Sequence, residues 1–315
     1  MSFIRIYLLL LICCTVALAS CSSGEKNEAP VQHDSTALKV GIFPSLDAVP
    51  AMLAKDWGVY DSLGVSVDLI VYKSQLDAEE ALAKGKVDAA MSDMFRIGWW
   101  QDQKKPVRFA FTTKRHMFVV PNKVLRVTQI DQLDDRMIAI SRFSLDDYYC
   151  DKAVELIKKR QGQILRPQIN DVELRLSMLT SGQLDAAVLP AQQAYKSIKK
   201  GYLTLPLDIK NVDGFAGYAY NTTSAKQKSE DLKKFESAYN IVVGQLHTHT
   251  SMPDMAEGSA RRLSIDSCVM QQIKCAKDFV FTETPKPADL TTAITWLRSK
   301  SAVKASYSGD TLALH

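Results

Sequence analysis

The chain has 315 residues, with 39 Lys and Arg against 35 Asp and Glu, and 46% of its residues are apolar. That length points to two domains or one large α/β body, and an apolar share near half with 23% charged residues excludes disorder and collagen-like repeats. The net charge of +4 is small, and the basic runs Lys104-Lys105, Lys158-Lys159-Arg160, Lys199-Lys200 and Arg261-Arg262 are dispersed without interleaved aromatics. A nucleic-acid binder gathers its basic charge on one face, so nucleic acid is not an expected partner.

The N-terminus sets the compartment. Met1–Arg5 is a short positive segment, and the apolar run Ile6–Ala19 falls short of the roughly 20 residues a spanning helix needs. It has the form of a signal-peptide core, giving residues 1–20 as a signal peptide. The closing Leu18-Ala19-Ser20-Cys21 resembles the bacterial lipobox. That resemblance implies cleavage before Cys21 and acylation of its thiol. Residues 21–37 are mostly polar and read as a flexible tether. Two or three acyl chains hold a body at a membrane, so the expectation is an anchored protein in the cell envelope with its folded part outside the cytoplasm.

Three cysteines remain for the body: Cys150, Cys268 and Cys275. Ser267–Lys277 reads as one helix, on which residues seven apart are separated by about 10.5 Å, beyond disulfide reach. Three thiols are expected, and a 268–275 bridge only if the chain turns between them. His247 and His249 face apart on a helix, and no metal or CxxC spacing is present, so neither metal nor cofactor is expected.

The body alternates strand and helix. Leu38–Phe43 reads as a strand, 48–60 as a helix with Asp47 as its cap, 65–71 as a strand, Asp77–Lys84 as a helix, and Val87–Ala90 as a short strand. Strand-like 107–113 and 116–121 follow without a helix between them. Arg136–Ile140 is strand-like, Leu145 to about Arg160 helical after Ser144, 171–173 extended, and 174–180 helical. One segment recurs: Ala81-Leu-Ala-Lys-Gly-Lys-Val-Asp-Ala-Ala90 against Met178-Leu-Thr-Ser-Gly-Gln-Leu-Asp-Ala-Ala187. In both, a helix should end at a left-handed glycine before a small-residue strand. Gly214–Tyr220 reads as a return crossover, and helices are expected over 226–248, 264–277 and 288–299. The pattern predicts an α/β fold of two lobes, each a mixed or parallel sheet flanked by helices. The first lobe is 38–113 with 214–315, the second is 114–213, and the ligand cleft lies between them.

Lys39-Val-Gly-Ile-Phe-Pro44, Ala54-Lys-Asp-Trp-Gly-Val-Tyr-Asp-Ser-Leu-Gly-Val-Ser-Val-Asp68 and the segment 81–90 together resemble the substrate-binding proteins of ABC importers, in the branch serving nitrate, sulfonates, taurine and thiamine or flavin precursors. The resemblance spans roughly residues 38–220. It implies a type II-like periplasmic-binding fold with two crossovers. The implied role is a receptor, not an enzyme, that delivers a small molecule to a permease and ATPase complex as a monomer.

In open α/β sheets, ligands sit beyond the carboxyl ends of strands, near helix N-termini. Applied here, that rule selects Phe43, Ser45 and Asp47 after the first strand, Ser92 and Asp93 after the first repeat, Arg142 and Ser144 in the second lobe, and Pro190 after the second repeat. Arg115 and His116 of the crossover line the floor. Each has a plainer reading: Asp47 and Ser144 as helix caps, Asp93 as a surface ion pair with Arg96, Phe43 as core. Arginines suit an oxyanion, while carboxylates with Phe43, Phe95, Trp99 and Phe143 suit a nitrogen heterocycle. The two arginines beside predicted loops incline the reading toward an organic anion. The alternatives are an enzyme of small-molecule or cofactor metabolism on the same fold, and a ligand-binding sensor or adaptor lipoprotein. No G-x-S-x-G, H-E-x-x-H or phosphate-cradling glycine loop favours the enzyme.

Overall fold

A computed structural model describes residues 36–158, 161–209 and 212–313. The expected signal peptide, Cys21 and most of the expected tether lie outside the described residues. In chain order the described body runs β1 (Leu38–Ile42), α1 (Val49–Asp56), β2 (Val67–Val71), α2 (Gln75–Ala83), β3 (Ala89–Asp93), α3 (Met94–Asp102), β4 (Val107–Thr112) and β5 (Met117–Pro121). It continues through β6 (Ile138–Ala139), α4 (Leu145–Glu155), α5 (Val172–Thr180), β7 (Ala186–Pro190), α6 (Ala191–Lys199) and β8 (Ala216–Asn221). The last third adds α7 (Ser229–Leu246), α8 (Ser267–Gln272) and α9 (Pro287–Ser299), with shorter turns between them.

These strands form two sheets. The first is ordered β2-β1-β3-β8-β4 and the second β5-β7-β6. In the first, β1 runs parallel to β2 and β3, while β8 returns antiparallel between β3 and β4. The chain therefore passes from one sheet to the other after β4 and comes back before β8. Gly217 lets β8 into its slot: a Cβ there would lie 2.0 Å from the Phe111 carbonyl oxygen. Tyr218 of β8, Phe111 of β4, and Phe235 and Tyr239 of α7 pack ring against ring beneath the first sheet.

The repeated segment has a structural explanation. Gly85 and Gly182 both adopt positive φ, +68° and +84°, which costs glycine nothing. The strands that follow hold equivalent places: β3 lies between parallel β1 and antiparallel β8, and β7 between parallel β6 and antiparallel β5. The aspartate of each copy pins the parallel neighbour. Asp88 accepts the Lys39 N–H at 2.8 Å, and Asp185 accepts the Met137 N–H at 2.9 Å. Each copy also receives an asparagine from the antiparallel neighbour, Asn221 N–H to Asp88 O at 2.9 Å and Asn122 N–H to Asp185 O at 2.7 Å. The motif is thus a strand-edge clasp used once per sheet.

Several predicted elements differ in detail. The helix expected over 48–60 begins at Val49 without a side-chain cap, and Gly58 at φ +68° ends it before a further turn at Val59–Ser62. Asp171 is not extended sheet but the cap of α5, accepting the Glu173 and Leu174 N–H groups. The single helix expected over 264–277 breaks at extended Ile273, which turns into the core, and Asp278 accepts the Lys274 N–H to hold a new turn at Cys275–Asp278. All three cysteines of the described body are free. Burial pushes the Cys150 thiol up to about 12, the state of a core thiol and not of a nucleophile.

Candidate functional site

The carboxyl ends of β1 and β3, the crossover and the N-terminus of α4 converge on one buried polar seam between the two sheets. Phe43 and Ser45 leave β1 with Asp47 just behind, all nearly fully buried. Asp47 does not cap a helix. Its Oδ2 accepts from Arg115 Nη2 at 2.8 Å and Nε at 3.0 Å, and its Oδ1 accepts from the Ser45 hydroxyl. The guanidinium of Arg115 lies 4.8 Å from the Phe43 ring centre. Its third nitrogen, Nη1, donates to Gln75 Oε1 at 2.7 Å. Asp47 raises the affinity of Arg115 for its proton against the opposing effect of burial.

Gln75 extends the seam through its amide nitrogen, which donates to Asp93 Oδ2 at 2.7 Å and Glu79 Oε1 at 2.8 Å. Glu79 is 0% exposed and also accepts from Ser92 Oγ (2.6 Å), Arg96 Nε (2.8 Å) and Trp100 Nε1 (3.1 Å). Four donors on one carboxylate make its burial tolerable. Asp93 is equally buried. Its Oδ1 caps α3 through the Arg96 N–H at 2.9 Å, and its Oδ2 reaches across to the Leu145 N–H, the first of α4, at 3.0 Å. A carboxylate at the end of a strand of the first sheet therefore sits at the positive end of α4. Arg96 makes a second crossing, Nη1 to the Arg142 carbonyl at 3.3 Å, while its own Nη2 has no partner.

The remaining candidates divide. Ser144 caps α4 through the Asp146 N–H at 3.2 Å, the plainer of its two readings. The Arg142 side chain is exposed, and only its backbone joins the seam. His116 lies 3.6 Å from Asp278. Pro190 closes β7, and from the helix after it Gln193 Nε2 reaches the Pro44 carbonyl at 3.0 Å across the seam. Asp93 does not form the surface ion pair with Arg96: the aspartate takes the backbone N–H, and the guanidinium pairs with Glu79 instead. Sequence reasoning missed Gln75, Glu79 and Arg175. The signal available for the first two was their i, i+4 spacing on α2. Arg175 is 0% exposed and binds Asp146, Ile169 O and Val188 O, with nothing in an amphipathic helix to mark it.

The seam is tightly filled. A cavity of about 10 Å³ remains at Ser45, Asp47, Arg115, His116 and Asp278. Hollows of about 560 and 580 Å³, the first beside Val107 and Tyr307 and the second between β4, β8 and α7, touch none of the ten candidates, so chemistry and not size locates the site. Among the described residues no group of three His, Cys, Asp or Glu could hold a metal ion, and no helix is long and apolar enough to cross a membrane.

Two sheets joined by two crossovers, with β8 returning antiparallel inside the first, decide the architecture. The chain has the periplasmic binding protein fold. Solved structures agree over most of its length. The ligand-binding component of an ABC-type import system from Staphylococcus aureus, with zinc bound, superposes with a TM-score of 0.69 at 14% identity, covering 88% of this chain and 99% of its own. The alkanesulfonate-binding protein SsuA from Xanthomonas axonopodis, bound to MOPS, gives 0.69 at 11% identity, with 86% and 96% covered. The nitrate-binding protein NrtA from Synechocystis gives 0.69 at 12%, with 87% and 84% covered. Residues 31–112, which include β1 to β4, match the model of the NMT1-like family. No curated protein matches the chain. The resemblance read from the sequence thus finds its counterpart in the periplasmic-binding structures, which are binding proteins by name.

Proposed function

We propose that this protein is an extracytoplasmic solute receptor of an ABC importer, a monomer tethered by a lipid on Cys21. In this reading residues 38–113 and 214–315 form one lobe and 114–213 the other. A small organic ligand binds at the seam among the ten candidate residues and is passed to a permease and ATPase complex. The observation that carries the reading is the seam itself, where Asp93, Arg96 and Pro44 of one lobe bond Leu145, Arg142 and Gln193 of the other. Contacts that form only when lobes meet are the means by which a ligand shifts an open–closed equilibrium. The sulfonate, nitrate and import-component neighbours favour transport over catalysis as the use of that motion.

The test is native mass spectrometry of the protein purified from its own cells, followed by small-angle scattering with and without the molecule recovered. A bound small molecule, removable by dialysis, whose return contracts the protein is the expected result. Absence of any bound molecule, with scattering indifferent to the cell's small-molecule extract, would refute the receptor.

A further inference from the structure

Around Arg96 and Arg115 the seam holds three fully buried carboxylates and two buried guanidiniums, while a further buried acid, Asp278, faces His116. Asp47 is paired with Arg115 and Glu79 with Arg96, each at 2.8 Å. The third carboxylate, Asp93, is 0% exposed and has no cationic partner: its donors are the Arg96 and Leu145 backbone N–H groups and the Gln75 amide. Asp146, the next acid along α4, is taken by Arg175. A buried charge is normally balanced by an opposite one, because neutral dipoles repay only part of its lost hydration. Burial and the neighbouring Glu79 push the Asp93 carboxyl up to about 6.

A second, independent group points to the same place. Arg96 is 3% exposed, and its Nη2 has no partner although Nη1 of the same fork bonds the Arg142 carbonyl. That donor therefore lies at the junction of the lobes and calls for an acceptor. Beside it, Trp99 of the first lobe and Phe143 of the second stack 28° from parallel with ring centres 6.3 Å apart, and the Arg96 guanidinium lies 4.5 Å from the Trp99 ring centre. Phe143 holds φ at +55°, a conformation that a bulky residue adopts only at a cost.

We infer that the ligand of this seam is a small nitrogen base, its protonated or N–H-bearing nitrogen seated on Asp93 and a neighbouring acceptor atom on Nη2 of Arg96, with Trp99 and Phe143 flanking its plane. The inference rests on the receptor reading and narrows it. Opening the lobes breaks the Leu145–Asp93 bond and frees one acceptor position of Oδ2 for the incoming N–H, the other staying with Gln75. An oxyanion would meet the opposite balance: both guanidiniums are engaged with internal carboxylates, and a third carboxylate would repel it. The inclination toward an anion drawn from Arg115 and Arg142 is thereby reversed, since Arg115 is committed to Asp47 and the Arg142 side chain stands in solvent.

Matched probes test the charge without knowledge of the natural ligand. Acetamidinium and benzamidinium are titrated against acetate, benzoate and methanesulfonate at pH 7.5, read by thermal shift and calorimetry on the wild-type protein. The amidiniums should stabilise it in a concentration-dependent way and the oxyanions should not. Asp93→Asn should weaken amidinium binding by about 30-fold or more, the scale of losing a buried charge partner. Preference for the oxyanions, amidinium affinity unchanged in Asp93→Asn, or binding of neither class would each overturn the inference. If Asp93→Asn fails to fold, the comparison of probe classes on the wild-type protein still decides. The receptor reading is scored separately: an oxyanion recovered from the native protein that contracts it keeps the receptor and removes this inference, whereas no bound molecule and no contraction removes both.

Discussion

Replacing Arg115 with Met tests whether the Asp47–Arg115 pair holds the seam together. The two side chains are 0% and 2% exposed, and three guanidinium nitrogens bond Asp47 or Gln75. Screening by water is therefore small, and removing the cation leaves a buried carboxylate uncompensated. Breaking such a pair costs about 3–5 kcal/mol. At roughly 2–4 °C per kcal/mol for a chain of this size, the melting temperature should fall by about 6–20 °C. Removing both charges is a different perturbation, because a well-packed apolar pair is often neutral. The double variant Asp47→Leu with Arg115→Met should thus recover at least half of the single loss. Urea denaturation of wild type, the two single variants and the double variant gives the coupling energy directly, expected at about 2 kcal/mol or more. Additive losses, or an Arg115→Met cost below about 1 kcal/mol, would show that the pair behaves as a solvated contact and would refute the argument.

Three further outcomes follow, two from the structure and one from the proposed lipid anchor. Gly217→Ala should destabilise by more than the usual 1–3 kcal/mol of overpacking, since the added carbon meets the Phe111 backbone and not a movable side chain; an unchanged urea midpoint would contradict it. Cys21→Ala should abolish palmitate labelling and release the protein from membranes on fractionation, and persistence of either would remove the anchor. Asp93 should make the protein more stable in mild acid. Its folded carboxyl titrates near 6 against an ordinary 3.8, so the native state holds the proton more tightly. The gain, about 3 kcal/mol, is complete below the ordinary value and lost as pH rises through 6. The charged groups facing it are Glu79 and Arg96 from its own side of the seam and Arg115 of the crossover. Asp88 and Asp151, whose carboxyls are held below their ordinary value by hydrogen bonds and cations, act in the opposite sense in stronger acid. The quantity to measure is therefore the difference in urea stability between wild type and Asp93→Asn from pH 4.5 to 7.5, which should change across this range.

Local pattern carried the architecture a long way. Alternation at Leu38–Ile42, the glycine stops at 85 and 182, and the repeated Gly-x-apolar-Asp-Ala-Ala are properties of short segments, and backbone conformation answers to short segments. The clasp at Asp88 and Asp185 follows because the aspartate, its strand and the strand's neighbour recur together. The loops bearing Ser45, Asp93 and Ser144 were likewise legible, because ends of parallel strands fall on one edge. What those side chains do was not. Asp47 meets Arg115 across 68 residues, Gln75 joins Asp93 across 18, and Asp93 crosses 52 residues to the start of α4. Whether a carboxylate caps its own helix, pairs with a guanidinium or stands without one depends on which donors the two sheets bring within 3 Å. Burial then multiplies that difference, since in a low-dielectric seam one missing counter-charge changes both proton affinity and ligand preference. The sequence by itself determined where the loops lie; only the tertiary structure decided their charge balance, because electrostatics sums over neighbours in space and not along the chain.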